Sequence, residues 1–469
     1  MSVRLPRKNL TRKQEEFIVE MLTVQPVERN QGMRGRTFQQ EKESIPFFEA
    51  DKNFVKVPYA FGINLLETFP HEEKEYHPIS LSFAGQLRPR QVKRSAIMDE
   101  HFENYRTSTL RGHTGFGKTT MGNYYIAQHH LLTVVLVPGK MLNKQWPNSI
   151  QDSLPGVKVG VVGEGYEDGL IDLLPSGEIN WKAHPDVLVC MPERWNKIPE
   201  EVREKVGFLI VDEAHMFCTP TRIVPLLQFE PKYILALTAS PRRSDGTIGI
   251  LHAMCGVHQV KARYPNLVEV WRFNTGYQFK TEKDMRGQTS WVSTLKNIVT
   301  SDERNNMTAD LAQYLVEGGR KPMLMCDRKY HVDDLVKKIK ARGVTCDYLM
   351  ENKNDYINSQ VLIAIITKGG TGFDEQYACP DFTVGDQRID TVMYCTSFRE
   401  LNGLIQYGGR CMRVDNPLII HLVDKNGIVE SHWREAQKYY KSGEYLKKVE
   451  IKTFNQEDIW VIEGGEEEE

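Results

Sequence analysis

The sequence is short of several features that mark particular protein classes. No stretch approaches the roughly 18 uninterrupted apolar residues that a membrane span needs. The longest apolar runs, Val134–Val137 and Val361–Ile366, have the length of buried strands. No Cys-x-x-Cys pair occurs among the eight cysteines. Cys190, Cys218, Cys255 and Cys326 sit in or beside apolar stretches, so they read as reduced core residues rather than disulfides or zinc ligands. The first twenty residues hold no apolar signal core, and secretion is not expected. Net charge is almost absent: 60 Lys and Arg against 62 Asp and Glu leave −2 at pH 7. A phosphate backbone would have to be met by local positive charge. No internal repeat is found. A soluble cytoplasmic protein without a membrane partner is the expectation.

What is present is ordinary globular material. The 469 residues are 40% hydrophobic and 26% charged, enough for about three domains. The first 13 residues hold Arg4, Arg7, Lys8, Arg12 and Lys13 and no acid. They read as a solvated arm, with a phosphate contact as the other reading. Residues 1–80 mix a helical pattern around Lys13–Leu22 with strand-like pieces such as Phe54–Val57, and suggest a small α+β accessory domain that could bind DNA. From Leu87 apolar strand-like runs alternate with helical patterns, which indicates a parallel sheet covered by helices. A polar stretch from Asn274 separates this from a second alternating block. The expected organisation is α/β with two tandem lobes, at 81–273 and 304–450, joined by 274–303 and followed by an acidic tail at 451–469.

Gly112-His113-Thr114-Gly115-Phe116-Gly117-Lys118-Thr119 fits the phosphate-loop pattern G-x-x-x-x-G-K-[ST] in full. Glycines let backbone N–H groups converge on phosphates, Lys118 reaches the outer phosphates, and the Thr119 hydroxyl ligates Mg²⁺. Thr120 continues into a helical run whose positive dipole end would face the anion. Phe208–Val211 then delivers Asp212-Glu213-Ala214-His215 at the end of an apolar strand. Asp212 is expected to hold the metal and Glu213 to act as general base on the attacking water. His215 is too far along to reach the metal and is expected to bond across to another motif. In the second block, Gln406, Gly409/Arg410 and Arg413 would share one helix face by their spacing. Two fixed guanidinium groups there suit the charge that develops on a transferred phosphoryl group. ATP would then lie between two lobes that close on it and open after hydrolysis.

Together these residues resemble a superfamily 2 DEAH-box helicase or translocase over roughly Leu87 to Tyr440. The resemblance implies two RecA-like lobes using ATP and Mg²⁺. It gives Gln91 of Leu87–Gln91 the role of reading adenine. Val137–Lys140 through Gln145-Trp146 looks like the motif that contacts the tracked strand. Thr238-Ala239-Ser240 with Arg242 and Arg243 looks like the element coupling hydrolysis to movement. Lys368–Asp374, including Thr371, Gly372 and Asp374, looks like the motif touching both polymer backbone and nucleotide, although Lys368–Gly370 departs from its usual start. Lys140, Lys144, Arg194, Arg242, Arg243 and Thr371 are the candidate backbone contacts.

The nearest subgroup in pattern is the phage branch-migration helicases of the UvsW type and the poxvirus transcript-release DNA helicases. This rests on Gly115–Thr119, on Val137–Leu142 with Gln145-Trp146, and on Phe54–Pro58. It implies a phage or viral DNA helicase for branched intermediates of recombination, repair or replication. A monomer would suffice, since one chain supplies both lobes. An RNA helicase is the alternative within the same architecture. A third reading is a factor that uses ATP to release a replication, recombination or transcription protein without unwinding. A scaffold that never hydrolyses ATP fits less well, because Glu213, Gln406, Arg410 and Arg413 are all present.

Overall fold

The computed structural model describes residues 1–24, 44–69, 72, 74–163, 174–239, 248–279, 290–351, 353–369, 373–383, 385–398 and 401–460. The chain forms two compact units. One comprises Met1–Gly112 and Phe116–Ala262, the other Arg263–Glu469 together with His113–Gly115.

The first unit begins with a small antiparallel sheet of β1 (Ser2–Pro6), β2 (Glu49–Ala50) and β3 (Phe54–Pro58), ordered β1-β3-β2. Val3 lies opposite Val57 and Leu5 opposite Val55. Alternate residues of a strand share a face, and these four side chains are all buried. They join one apolar core with residues of the first lobe, among them Leu132, Val134, Leu136, Leu188 and Leu226. Ser2 Oγ donates to the Leu227 carbonyl at 2.8 Å, and Arg4 pairs with Glu230 at 3.1 Å. Residues 1–80, expected as a domain of their own, thus build onto the first lobe. A three-stranded sheet of this size needs such support, because it buries too little apolar surface alone. The expected solvated arm is a strand and a helix, with Arg7 paired to Glu15 and Arg12 to Glu16.

The main sheet of this unit has seven parallel strands: β4 (Thr107–Gly112), β5 (Thr133–Leu136), β6 (Val159–Val161), β7 (Val187–Cys190), β8 (Phe208–Val211), β9 (Tyr233–Thr238) and β10 (Val260–Ala262). Their order is β10-β4-β9-β8-β5-β7-β6. β5, β7 and β8 are buried throughout. Strands covered on both faces need continuous apolar runs such as Phe-Leu-Ile-Val.

The second unit carries another seven-stranded parallel sheet: β11 (Tyr264–Asn274), β12 (Pro322–Cys326), β13 (Cys346–Leu349), β14 (Val361–Ile365), β15 (Thr391–Tyr394), β16 (Leu418–Val423) and β17 (Leu446–Asn455). The order is β13-β14-β12-β15-β16-β11-β17. Two sequence boundaries shift. β11, expected in the first lobe, pairs with β16 and β17. β17 runs into the segment read as an acidic tail. A fully buried ion pair, Arg304 to Asp424 at 2.8 Å, ties the helix Asp302–Glu317 to the end of β16. Thr275 Oγ1 also donates to Asp424, and Arg304 donates to the Cys395 carbonyl. The two units are therefore the expected tandem RecA-like lobes. All eight cysteines are buried thiols. Among the described residues no helix is long and apolar enough to cross a membrane.

Burial lowers three histidines, His129, His331 and His421, from 6.5 to about 3. A depressed histidine contributes stability that is full above the unfolded value and is lost as pH falls from 6.5 toward the folded value. Urea melts should therefore show stability falling steadily below pH 6.5. His421→Asn should flatten that slope by about 1.4 kcal/mol per pH unit. An unchanged slope would show that His421 is not held neutral.

Candidate nucleotide site

Gly112 ends β4, and the loop after it turns through Gly115 and Gly117, whose φ angles of 81° and 89° lie in the left-handed region that favours glycine. Gly117 caps the helix Lys118–His129. A side chain at Gly117 would also meet the Gln91 amide, since a Cβ there would lie 2.5 Å from Nε2. Gln91 is buried in the first turn of the helix Pro89–Tyr105. Its Oε1 accepts from the Arg88 N–H at 2.8 Å, and its Nε2 donates to the Phe116 and Gly117 carbonyls at 3.1 and 3.4 Å. The glutamine expected to read adenine is thereby bonded to the phosphate loop itself. Lys118 Nζ reaches back to the Gly112 carbonyl at 3.2 Å. His113 Nδ1 lies 2.6 Å from the Thr114 carbonyl. Thr119 and Thr120 follow Lys118 in the first turn of the helix, both half-buried.

Asp212 leaves β8 with its carboxylate almost fully enclosed. Oδ2 accepts from the Trp146 indole N–H at 2.9 Å, and Oδ1 from the Glu213 backbone N–H at 2.9 Å. Burial, and then the Glu213 carboxylate, push its pKa above the ordinary range; the Trp146 hydrogen bond and Lys118 oppose them. Glu213 has a φ of 48°, unusual for a residue with a side chain. Its Oε2 is buried without a hydrogen bond and lies 3.5 Å from His215 Nδ1. His215 Nδ1 also meets Thr238 Oγ1 at 3.0 Å, joining the acid motif to the end of β9.

These residues fit a divalent cation. Two adjacent carboxylates, Asp212 buried and Glu213 half-buried, repel one another, one oxygen of Glu213 is unsatisfied, and a hydroxyl at Thr119 lies in the first turn of the loop's helix. A bound cation and its water would answer both needs.

Lys140 and Lys144 are exposed on the helix Lys140–Ser153, and Arg194 is half-buried in the short helix Pro192–Lys197. Ser240, Arg242, Arg243, Thr371 and Gly372 lie outside the described residues.

In the second unit one expectation needs correcting. Gln406, Arg410 and Arg413 do not lie along one helix. The helix Leu401–Gly408 stops, a single 3₁₀ turn spans Gly409–Cys411, and Arg413 lies beyond it. Two consecutive glycines make a poor helix interior. Gln406 is buried on that helix. Arg410 is buried and directs Nε to the Gly369 carbonyl at 3.1 Å and a second nitrogen to the Phe373 carbonyl. It therefore holds the backbone that leads to Asp374. Arg413 forms a two-point pair with Asp374, at 2.8 and 2.7 Å. Burial would raise the Asp374 pKa, but the Arg413 guanidinium outweighs it and keeps the carboxylate below its ordinary value. Sequence reasoning missed both the Asp374 pairing and the Trp146–Asp212 bond.

A phosphate loop, a strand-end acid pair and two RecA-like sheets define a nucleotide-driven class of protein. Comparison narrows the class. Residues 91–245 match the DEAD/DEAH box helicase family. The candidate helicase 161L of Invertebrate iridescent virus 6 is 25% identical over 82% of this chain and 87% of its own. The candidate helicase 109L of Invertebrate iridescent virus 3 is 30% identical over 47% of this chain and 67% of its own. In fold, a variant of S. cerevisiae Dbp5 bound to RNA and ADP BeF3 matches with a TM-score of 0.52 at 12% identity, over 81% of this chain and 96% of that one. The chain belongs to the DEAD/DEAH box helicases. Membership implies ATP use, normally with Mg²⁺, and binding to nucleic acid.

Glu213→Gln should leave ATP binding intact and stall turnover, as read by equilibrium binding of a fluorescent nucleotide beside phosphate release. Loss of binding as well would make Glu213 a structural residue. Arg413→Ala should lower ATP turnover about 10³-fold or more if the guanidinium meets the transferred phosphoryl group. A loss under about tenfold would leave Arg413 only its pairing with Asp374.

Proposed function

We propose that this chain is an ATP-dependent DNA helicase or translocase that remodels branched DNA (forks, junctions or R-loops) in viral or phage recombination, repair or replication. The observation that carries the reading is the acid pair at the end of β8: Asp212 accepts from Trp146, and Glu213 lies 3.5 Å from His215, which in turn meets Thr238. A single side chain, His215, thus separates Glu213 from the element expected to drive movement. The resemblance of its sequence strings to the branch-migration subgroup favours DNA, and relatives encoded by viruses support a viral setting.

In this reading the Gly112–Thr119 loop cradles the phosphates and Lys118 holds the outer ones. Mg²⁺, when bound through Thr119 and Asp212, neutralises charge on the phosphate oxygens. Glu213 takes the proton of the attacking water. Arg413 meets charge developing on the transferred group, while Arg410 and Gln406 shape the segment that presents it. Lys140, Lys144 and Arg194 contact the polymer backbone, with Arg242, Arg243 and Thr371 as further contacts.

The deciding experiment is the ATPase rate with single-stranded DNA, duplex DNA, a four-way junction and matched RNA, at one low salt concentration, because phosphate binding weakens steeply with salt. Stimulation by DNA, greatest with the junction, is expected. Stimulation by RNA alone would overturn the DNA assignment. No stimulation by any polymer would redirect the reading to a protein partner.

A further inference from the structure

Trp146 lies on the helix Lys140–Ser153, next to a glutamine in a stretch expected to touch the polymer. Its indole is not available to bases: the residue is 1% exposed. The ring slides beneath Gly122 on the phosphate-loop helix, where a Cβ would come within 2.7 Å of Cη2. The third neighbour of that position is Ile210, two residues before Asp212. From this slot the indole N–H donates to Asp212 Oδ2 at 2.9 Å. The other oxygen, Oδ1, takes the Glu213 N–H. A carboxylate oxygen has two acceptor positions. With one filled on each oxygen, the carboxylate cannot rotate without breaking a bond, and one position on each remains open.

We propose that Trp146 is a positioning residue for the metal site. Its indole N–H fixes the Asp212 carboxylate so that the open acceptor positions face Mg²⁺, and it thereby ties the helix Lys140–Ser153 to the metal acid. The inference rests on the reading of this site as one for Mg²⁺ and ATP. Core packing alone would explain the burial of the ring. It would not require the donor nitrogen to meet the one carboxylate expected to hold the metal. Gly122 permits this approach, because any side chain there would push the indole away.

Partners that orient a metal ligand typically matter about 10–100-fold in metal affinity. The test measures Mn²⁺ binding to the protein–ADP complex by electron paramagnetic resonance, together with ADP binding in the absence of metal. Trp146→Phe keeps an aromatic body and deletes the donor. It should weaken Mn²⁺ about 10–100-fold and leave metal-free ADP binding unchanged. Tryptophan emission offers a second readout: the wild-type protein should change on adding Mg²⁺ and ADP by an amount that Trp146→Phe lacks. If Trp146→Phe fails to fold, benzothienylalanine at position 146 keeps the bicyclic shape with sulfur in place of N–H, and the same loss is expected. Equal Mn²⁺ affinity in the donor-deleted and wild-type proteins would overturn the positioning role and leave the nucleotide site standing. A wild-type protein that binds neither ADP nor Mn²⁺ would remove the nucleotide reading and this inference with it.

Discussion

The site depends on the parallel pairing of four central strands, β4, β9, β8 and β5. Thr238 lies opposite Arg111 in one pair, and Val211 opposite both Ala236 and Leu136 in the others. Parallel strands end on a common edge, and neighbours stand about 4.8 Å apart. The loops after Gly112, Leu136, Val211 and Thr238 therefore leave the sheet side by side. Side chains on adjacent loops can touch with no special arrangement of the chain between them. The 3.0 Å contact of His215 with Thr238 and the 2.9 Å contact of Trp146 with Asp212 both follow from this register.

That edge is also where the fold departs from its own preferences. Two acids are enclosed next to each other, and Glu213 takes a backbone conformation that costs of order 1–3 kcal/mol for a residue with a side chain. The rigid register of β8, bonded on both flanks, holds the residue there. Asp212 is compensated by two N–H donors, whereas Glu213 Oε2 has none. The asymmetry separates the roles. A carboxylate already held by two donors suits a fixed cation, and one with an unsatisfied oxygen suits a proton or a water.

The parts legible in the sequence are those with local cause. An apolar run ending in Asp212-Glu213 reads as a buried strand delivering acids, and a complete phosphate loop reads from its glycines and lysine. The parallel lobes follow from alternating patterns. What fails has its cause mostly far along the chain. β11 joins the second sheet because its partners are Leu418–Val423 and Leu446–Asn455, which its own pattern cannot announce. The helix face through Gln406 and Arg413 fails locally, at Gly408-Gly409, because spacing alone takes no account of glycine's cost to a helix. Trp146 lies 66 residues from Asp212, and Arg413 lies 39 from Asp374. No spacing rule joins either pair. Gln-Trp in the strand-contact stretch is visible, but nothing in it distinguishes an indole that meets a base from one that meets a carboxylate.

The pair of Arg413 with Asp374 bears on whether an arginine so engaged can still serve a phosphate. A guanidinium carries five N–H donors in a planar fork. Asp374 engages the two terminal nitrogens, and each of these has a further N–H. The carboxylate therefore orients the fork without exhausting it. An ammonium group could not do the same, since it offers no plane to fix and no second edge to present. Arg410 completes the arrangement by gripping the carbonyls of Gly369 and Phe373. The backbone carrying Asp374 is thus fixed by one arginine so that its carboxylate can fix the other. Removing Arg410 would disturb Asp374 and its pairing, while removing Arg413 would remove the donor proposed to meet the phosphate.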